Sequence, residues 1–105
     1  RNTKRKAKVF WKKRTYTTTY QVQYATNARF KKAKKVSVSR KNGSLITKQL
    51  KKKVYYFRVR YSYKKAGVKS WSGWSEIRKI EYVKETLEES KRVRMNTEKQ
   101  SENTK

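Results

Sequence analysis

The sequence predicts an all-β fold, an antiparallel β-sandwich, and three observations carry that prediction. Before position 84 the apolar residues recur with a period of two, the period of a strand with one buried face. The alternating runs are short, about 8 to 12 residues apart, and separated by turn-forming residues. Each run has one apolar and one polar face, as expected of two sheets that close their apolar faces on each other. A small barrel shares this periodicity and stays as the alternative.

The first run, AKVFWKK at 7–13, places Ala7, Val9 and Trp11 on one face, while Phe10 shares the lysine face. In YQVQYAT at 20–26, Tyr20, Val22 and Tyr24 oppose Gln21 and Gln23. KVSVS at 35–39 offers Val36 and Val38. The longest run, YYFRVRYSYKK at 55–65, sets Tyr55, Phe57, Val59, Tyr61 and Tyr63 against Tyr56, Arg58, Arg60, Ser62 and Lys64. SEIRKIEYV at 75–83 closes the series. Its Ile77 and Ile80 are three apart, which predicts a bulge or a change of face.

Between these runs, Asn42-Gly43 suits a tight hairpin turn whose two central residues take positive φ. Ser44 completes a formal glycosylation triplet there, but the turn already accounts for the same residues. KKAGVKS at 64–70 is a second turn region, and with no proline the turns rest on Gly, Asn and Ser.

Composition limits both core and chemistry. At 33% hydrophobic content, a single small core has to lean on the 14 aromatic residues. The 32 Lys and Arg face only 7 Glu, for a formal net charge of +25, so the surface attracts polyanions with an affinity that falls as salt rises. Nucleic acid, anionic lipid, anionic cell-wall polymer and sulfated glycan all satisfy that condition. The chain lacks Cys, His and Asp, which removes disulfides, thiolate metal sites and the usual general bases. Glu76 and Glu81 are the only carboxylates before residue 84, and no phosphate-binding Gly-rich loop is present. We therefore expect neither catalysis nor a cofactor. No run approaches the ~20 apolar residues of a membrane span.

Charge also divides the chain. Five of the seven glutamates follow residue 83, where only Leu87, Val93 and Met95 are apolar. These features predict a polar segment at 1–5, a folded domain at 6–83, and a charged tail at 84–105. For the tail we expect a frayed helix at most around 85–94 and disorder beyond it. The start at Arg1 suggests a piece of a longer, multidomain chain.

With these residues in place, TYTTTYQVQYAT, RFKKAKKVSVS, LKKKVYYFRVRYSYKK and WSGWSEIRKI together resemble the fibronectin type III domain, an immunoglobulin-like sandwich. The resemblance covers roughly 6–83 and is to the lysine-rich form of Gram-positive secreted and cell-surface proteins. It implies Trp11 as the core tryptophan of the second strand and Tyr20, Val22 and Tyr24 as an inward face. It also implies a tyrosine corner from Leu50 and Tyr55, and a last strand opened by Trp74, Ser75 and Ile77. Phe57 and Val59 complete the expected core. The family's first strand has no counterpart, which implies either a domain cut at its start or an incomplete sandwich with one poorly covered edge. Its usual apolar position in the fifth strand is Thr47.

Two sets of residues are candidates for function. Trp71-Ser72 and Trp74-Ser75 resemble the Trp-Ser-x-Trp-Ser box of cytokine receptors, where indoles and guanidiniums interleave. Arg58 and Arg60 lie on the outward face of the neighbouring run, so a structural ladder is the favoured reading and an aromatic ligand platform the alternative. The second set is basic: Lys12, Lys13 and Arg14, then Lys31 and Lys32, then Lys51, Lys52 and Lys53. These are expected to be solvated lysines or diffuse contacts to anionic cell-wall or host polymers. Nucleic-acid binding by stacking is less favoured, because the alternation turns most aromatics inward. The expected role is a secreted or cell-surface binding or spacer module. A nucleic-acid-binding protein and an accessory domain of a larger secreted enzyme are the alternatives.

Overall fold

In a computed structural model of the chain, residues 4–48, 50–82 and 88–97 are described, and structural statements concern those residues. Every regular element among them is a strand: β1 (Lys4–Trp11), β2 (Thr17–Ala25), β3 (Lys34–Ser39), β4 (Ser44–Ile46), β5 (Val54–Lys65), β6 (Val68–Trp71), β7 (Arg78–Glu81) and β8 (Glu88–Met95). Among them no helix is long and apolar enough to cross a membrane. One sheet has the order β4-β1-β8; the other runs β3-β2-β5-β6, with β7 also paired to β5.

The period-two faces meet between the two sheets. In the larger sheet Tyr20 faces Tyr61, Val22 faces Val59 and Tyr24 faces Phe57 across antiparallel β2 and β5. All six side chains are buried in one cluster with Ala7, Val9 and Trp11 of β1. Trp11 packs on Tyr20 with ring centroids 5.1 Å apart. Removing a side chain such as Phe57 or Val59 from water contributes about 1.5 to 3 kcal/mol. Thus a few fully covered positions offset the low hydrophobic content.

Buried polar atoms finish the edges. The Tyr55 hydroxyl accepts hydrogen bonds from the Lys51 and Lys52 N–H groups, each at 3.1 Å, and fixes the chain before β5 beside buried Leu50. Thr47 stands just beyond β4. Its N–H donates to the Ala7 carbonyl at 2.9 Å, and its Oγ1 accepts from the Ala7 N–H at 3.0 Å. A hydroxyl thereby continues the ladder where an apolar residue would only pack. The Tyr82 hydroxyl donates to the Lys6 carbonyl and joins the end of β7 to β1.

Three expectations are corrected. Residues 88–95, read as at most a frayed helix, form β8, which runs parallel to β1 from Lys4↔Glu88 to Trp11↔Met95. Val93 and Met95 are buried while Arg92 and Arg94 are exposed, so two apolar anchors at strand spacing suffice when β1 supplies eight residues of backbone pairing. The folded unit consequently continues beyond residue 83, and the expected bare edge of β1 is paired. The rest of the tail, at 84–87 and 98–105, lies outside the described residues, as does 1–3 of the N-terminal segment.

Second, Asn42-Gly43 makes no two-residue hairpin: β3 and β4 belong to different sheets, and neither residue has positive φ. Gly43 instead serves close approach, since a Cβ there would sit 3.2 Å from the Trp11 carbonyl oxygen and 3.3 Å from the Lys13 side chain. The tight turn with both central residues at positive φ is Ala66-Gly67, at 53° and 81°, joining β5 to β6. Third, Ile77 opens no strand; it is 47% exposed, β7 begins at Arg78, and Ile80 packs against the core.

Candidate functional site

Two constructions stand out on this frame, one on the outer face of the larger sheet and one along the open flank of the sandwich. The first begins with β5, whose alternation turns Arg58 and Arg60 outward. Directly across on β2 stand Gln23 and Gln21. Gln23 Oε1 accepts from Arg58 Nε at 2.6 Å, and Gln21 Oε1 accepts from Arg60 Nε at 2.9 Å. Both guanidiniums are held with their planar faces free to stack.

On the other side of β5, the strand partner is split. β6 pairs with its C-terminal part and β7 with its N-terminal part, leaving the box at 72–77 to cover the middle. Serine does the pairing there. Ser72 Oγ accepts from the Tyr61 N–H at 3.0 Å and Ser75 Oγ from the Val59 N–H at 2.9 Å. The Ser72 and Ser75 N–H groups return bonds of 2.8 Å to the Tyr61 and Val59 carbonyls. The two serines so reproduce the ladder of a strand while the chain bulges enough to lay its tryptophans over the sheet.

The resulting stack is continuous. Arg58 lies 4.1 Å from the Phe30 ring centroid and 4.4 Å from that of Trp74. Arg60 lies 4.6 Å from Trp74 and 4.3 Å from Trp71, and Lys69 Nζ caps the far end, 4.9 Å from Trp71. Burial, and secondly the charge of Arg60, lower the pKa of Arg58, and burial lowers that of Arg60. Both stay cationic at neutral pH. The structure brings together Trp71, Trp74, Arg58 and Arg60 and adds two residues that sequence reasoning missed. Phe30 is buried and has positive φ, so no alternation marks it; Lys69 falls within the expected turn region but lies on β6, paired with Lys64.

The second construction gathers lysines. A groove of about 580 Å³ lies between the 26–33 loop and the segment before β5, with Tyr24, Ala25, Leu50 and Tyr55 in its lining. Lys31, Lys32, Lys34, Lys48, Lys51 and Lys52 also line it. A neighbouring cavity of about 400 Å³ shares Tyr24, Lys34 and Lys48 and continues between β3 and β4, the edge strands on that flank. No acidic residue is found among the described residues lining either. Asn27 shapes the loop: its Oδ1 accepts from the Arg29 and Lys31 N–H groups, and its Nδ2 donates to the Lys31 carbonyl. Phe30 and Lys32 hold φ of 56° and 52°, a conformation costly for side chains of that size. Phe30, tucked beneath Arg58, ties this loop to the ladder.

The other basic candidates go elsewhere. Lys12 lines a separate cleft of about 300 Å³ with Arg78 and Arg94. Lys13 Nζ donates to the Lys41 carbonyl at 3.3 Å. Arg14 lies 4.6 Å over the Tyr61 ring and donates to the Thr97 carbonyl at 2.8 Å, so its charge serves the fold. Lys53 is exposed, and its carbonyl accepts from the Tyr82 N–H at 2.8 Å. Comparison with protein-family models, with curated proteins and with solved structures found no match to this chain.

Proposed function

We propose that the chain is a non-catalytic binding or spacer module of a secreted or cell-surface protein, similar to a fibronectin type III domain, whose basic surface associates with anionic polymers. One observation carries the reading: most of the aromatic residues are taken up by the core and by the arginine ladder, Tyr16 being the one left largely exposed among the described residues, which leaves lysine as the dominant chemistry of the outer surface. Such a surface binds by charge rather than by stacking or by shape-selective hydrogen bonding. The absence of His, Cys and Asp from the sequence supports a non-catalytic role. Rigid pairing of β5 with β6, the serine box and β7 supports a spacer that keeps its form while loaded.

The test is retention of the folded domain on immobilised polyol-phosphate or sulfated polysaccharide, beside a neutral polysaccharide of equal length. We expect retention on the anionic matrices at about 0.15 M NaCl and release as salt is raised, because screening removes the attraction. Equal behaviour on the neutral matrix, or no retention at that salt, overturns the proposal.

A further inference from the structure

We infer that the flank groove, rather than the basic surface at large, is the seat of the polymer, and that its occupant is a linear chain without nucleobases, carrying phosphate or sulfate esters on a sugar or polyol backbone. The inference rests on the proposed function and adds to it a site and a ligand class.

Convergence is the first reason. Lys31 and Lys32 come from the loop after β2, Lys34 from the start of β3, Lys48 from beyond β4, and Lys51 and Lys52 from the approach to β5, yet all six line one groove. Lysines at a sheet edge are commonly explained as protection against edge-to-edge pairing. That explains Lys34 on β3, but not the loop lysines, which lie on no strand. Gathering six like charges around one depression costs repulsion that dispersal over the surface would avoid. A bound polyanion removes the cost.

The form of the groove selects the ligand. Its volume of about 580 Å³ falls within the usual range for ligand sites, about 300 to 1,000 Å³, and the adjoining cavity extends it along the flank. A chain of repeating charges can contact lysines at both ends, whereas a single small anion cannot. The rings in the lining, Tyr24 and Tyr55, are only 6% and 8% exposed, so they offer little surface on which a nucleobase can stack. Lysine without arginine in the lining favours tetrahedral oxyanions met as point charges, with no bidentate fork to read a planar group.

The test compares two charge-matched variants in the whole chain. One replaces Lys31, Lys32, Lys51 and Lys52 by Gln; the other replaces Lys6, Arg40, Lys41 and Lys64, all exposed and outside the groove, by Gln. Affinity for a polyglycerol phosphate, for a sulfated polysaccharide and for single-stranded DNA of similar charge is measured across a salt series. We expect the groove variant to lose about tenfold or more on an ester polymer and to flatten the slope of log K against log salt by about 3, with about twofold or less lost by the control. The arm that binds more tightly identifies phosphate or sulfate. Equal losses in both variants overturn the groove while leaving the proposed function in place, and no binding by the unaltered chain overturns both. Tighter binding of DNA than of either ester polymer overturns the ligand class in favour of nucleic acid. Melting curves of both variants verify that they remain folded.

Discussion

At the scale of single residues, the outer face of the larger sheet depends on a few atoms that each do two things. Trp74 is in cation–π contact with both Arg58, at 4.4 Å, and Arg60, at 4.6 Å. Each such contact contributes about 0.5 to 2 kcal/mol according to how well it is desolvated. Trp74→Ala should therefore destabilise the chain by about 1 to 3 kcal/mol in urea or thermal unfolding. In a double-mutant cycle with Arg58→Met, which keeps much of the aliphatic bulk, the coupling energy should be positive, and a coupling indistinguishable from zero would show that the stack is geometric proximity only. Ser75 is a different kind of residue. Its hydroxyl is the acceptor for the buried Val59 N–H, so Ser75→Ala leaves a backbone donor without that partner and should cost about 1 to 3 kcal/mol despite removing one atom. Denaturant midpoints at constant m-value measure both effects, and a Ser75→Ala variant as stable as the parent would refute the strand-mimic role of the box.

At the scale of elements, β8 decides whether the smaller sheet exists. Without it β1 would be paired only with β4, whose three residues meet Lys8, Val9 and Phe10. Its contributions are the eight-residue parallel register, buried Val93 and Met95, and the contacts of the following Thr97, whose hydroxyl donates to the Lys12 carbonyl and whose carbonyl accepts from Arg14. A chain ending at residue 83 should lose the cooperative thermal transition, and Val93→Asp in the full chain should come close to the same result by placing a charge in the core. A sharp, parent-like melt of the shortened chain would show that the 6–83 segment folds alone. The contrast between β5 and β8 explains what a sequence can reveal. In β5, five consecutive inward positions are aromatic or β-branched, so the period is visible without knowing the partner. In β8 only Val93 and Met95 mark the buried face within a strongly charged stretch, and what makes it a strand is the unpaired side of β1 more than 70 residues away. The ladder was half legible for the same reason: Arg58 and Arg60 lie in a patterned run and the two tryptophans in a recognisable Trp-Ser box, whereas Phe30 is set by a loop conformation. The groove was not legible at all as a site, because its lysines come from separate segments and only the meeting of those segments gives the basic clusters a common place.

At the scale of the whole molecule, one quantity acts on stability and on binding in opposite directions. A formal charge of +25 on 105 residues means that folding brings like charges together, so the compact state is strained by self-repulsion that the expanded chain partly escapes. Salt relieves that strain: the screening length falls from about 30 Å at 0.01 M to about 8 Å at 0.15 M, shorter than most distances across a small domain. The attraction between the lysine groove and a polyanion is screened by the same ions. Raising NaCl from about 0.01 M to about 0.5 M should increase the melting temperature by roughly 5 °C, equivalent to about 1 kcal/mol for a domain of this size, while the affinity for an anionic polymer falls by orders of magnitude. At fixed low salt, a saturating polyol phosphate should itself raise the melting temperature, since a ligand that binds the folded state and neutralises it contributes both mass action and relief of repulsion. Calorimetry across the salt series, with and without polymer, separates the two. The signature of charge as the organising force is a ligand-induced increase that shrinks as salt grows, on a baseline that rises. A melting temperature that stays flat with salt would mean that the positive surface is already dispersed widely enough to be inert, and that the fold is indifferent to it.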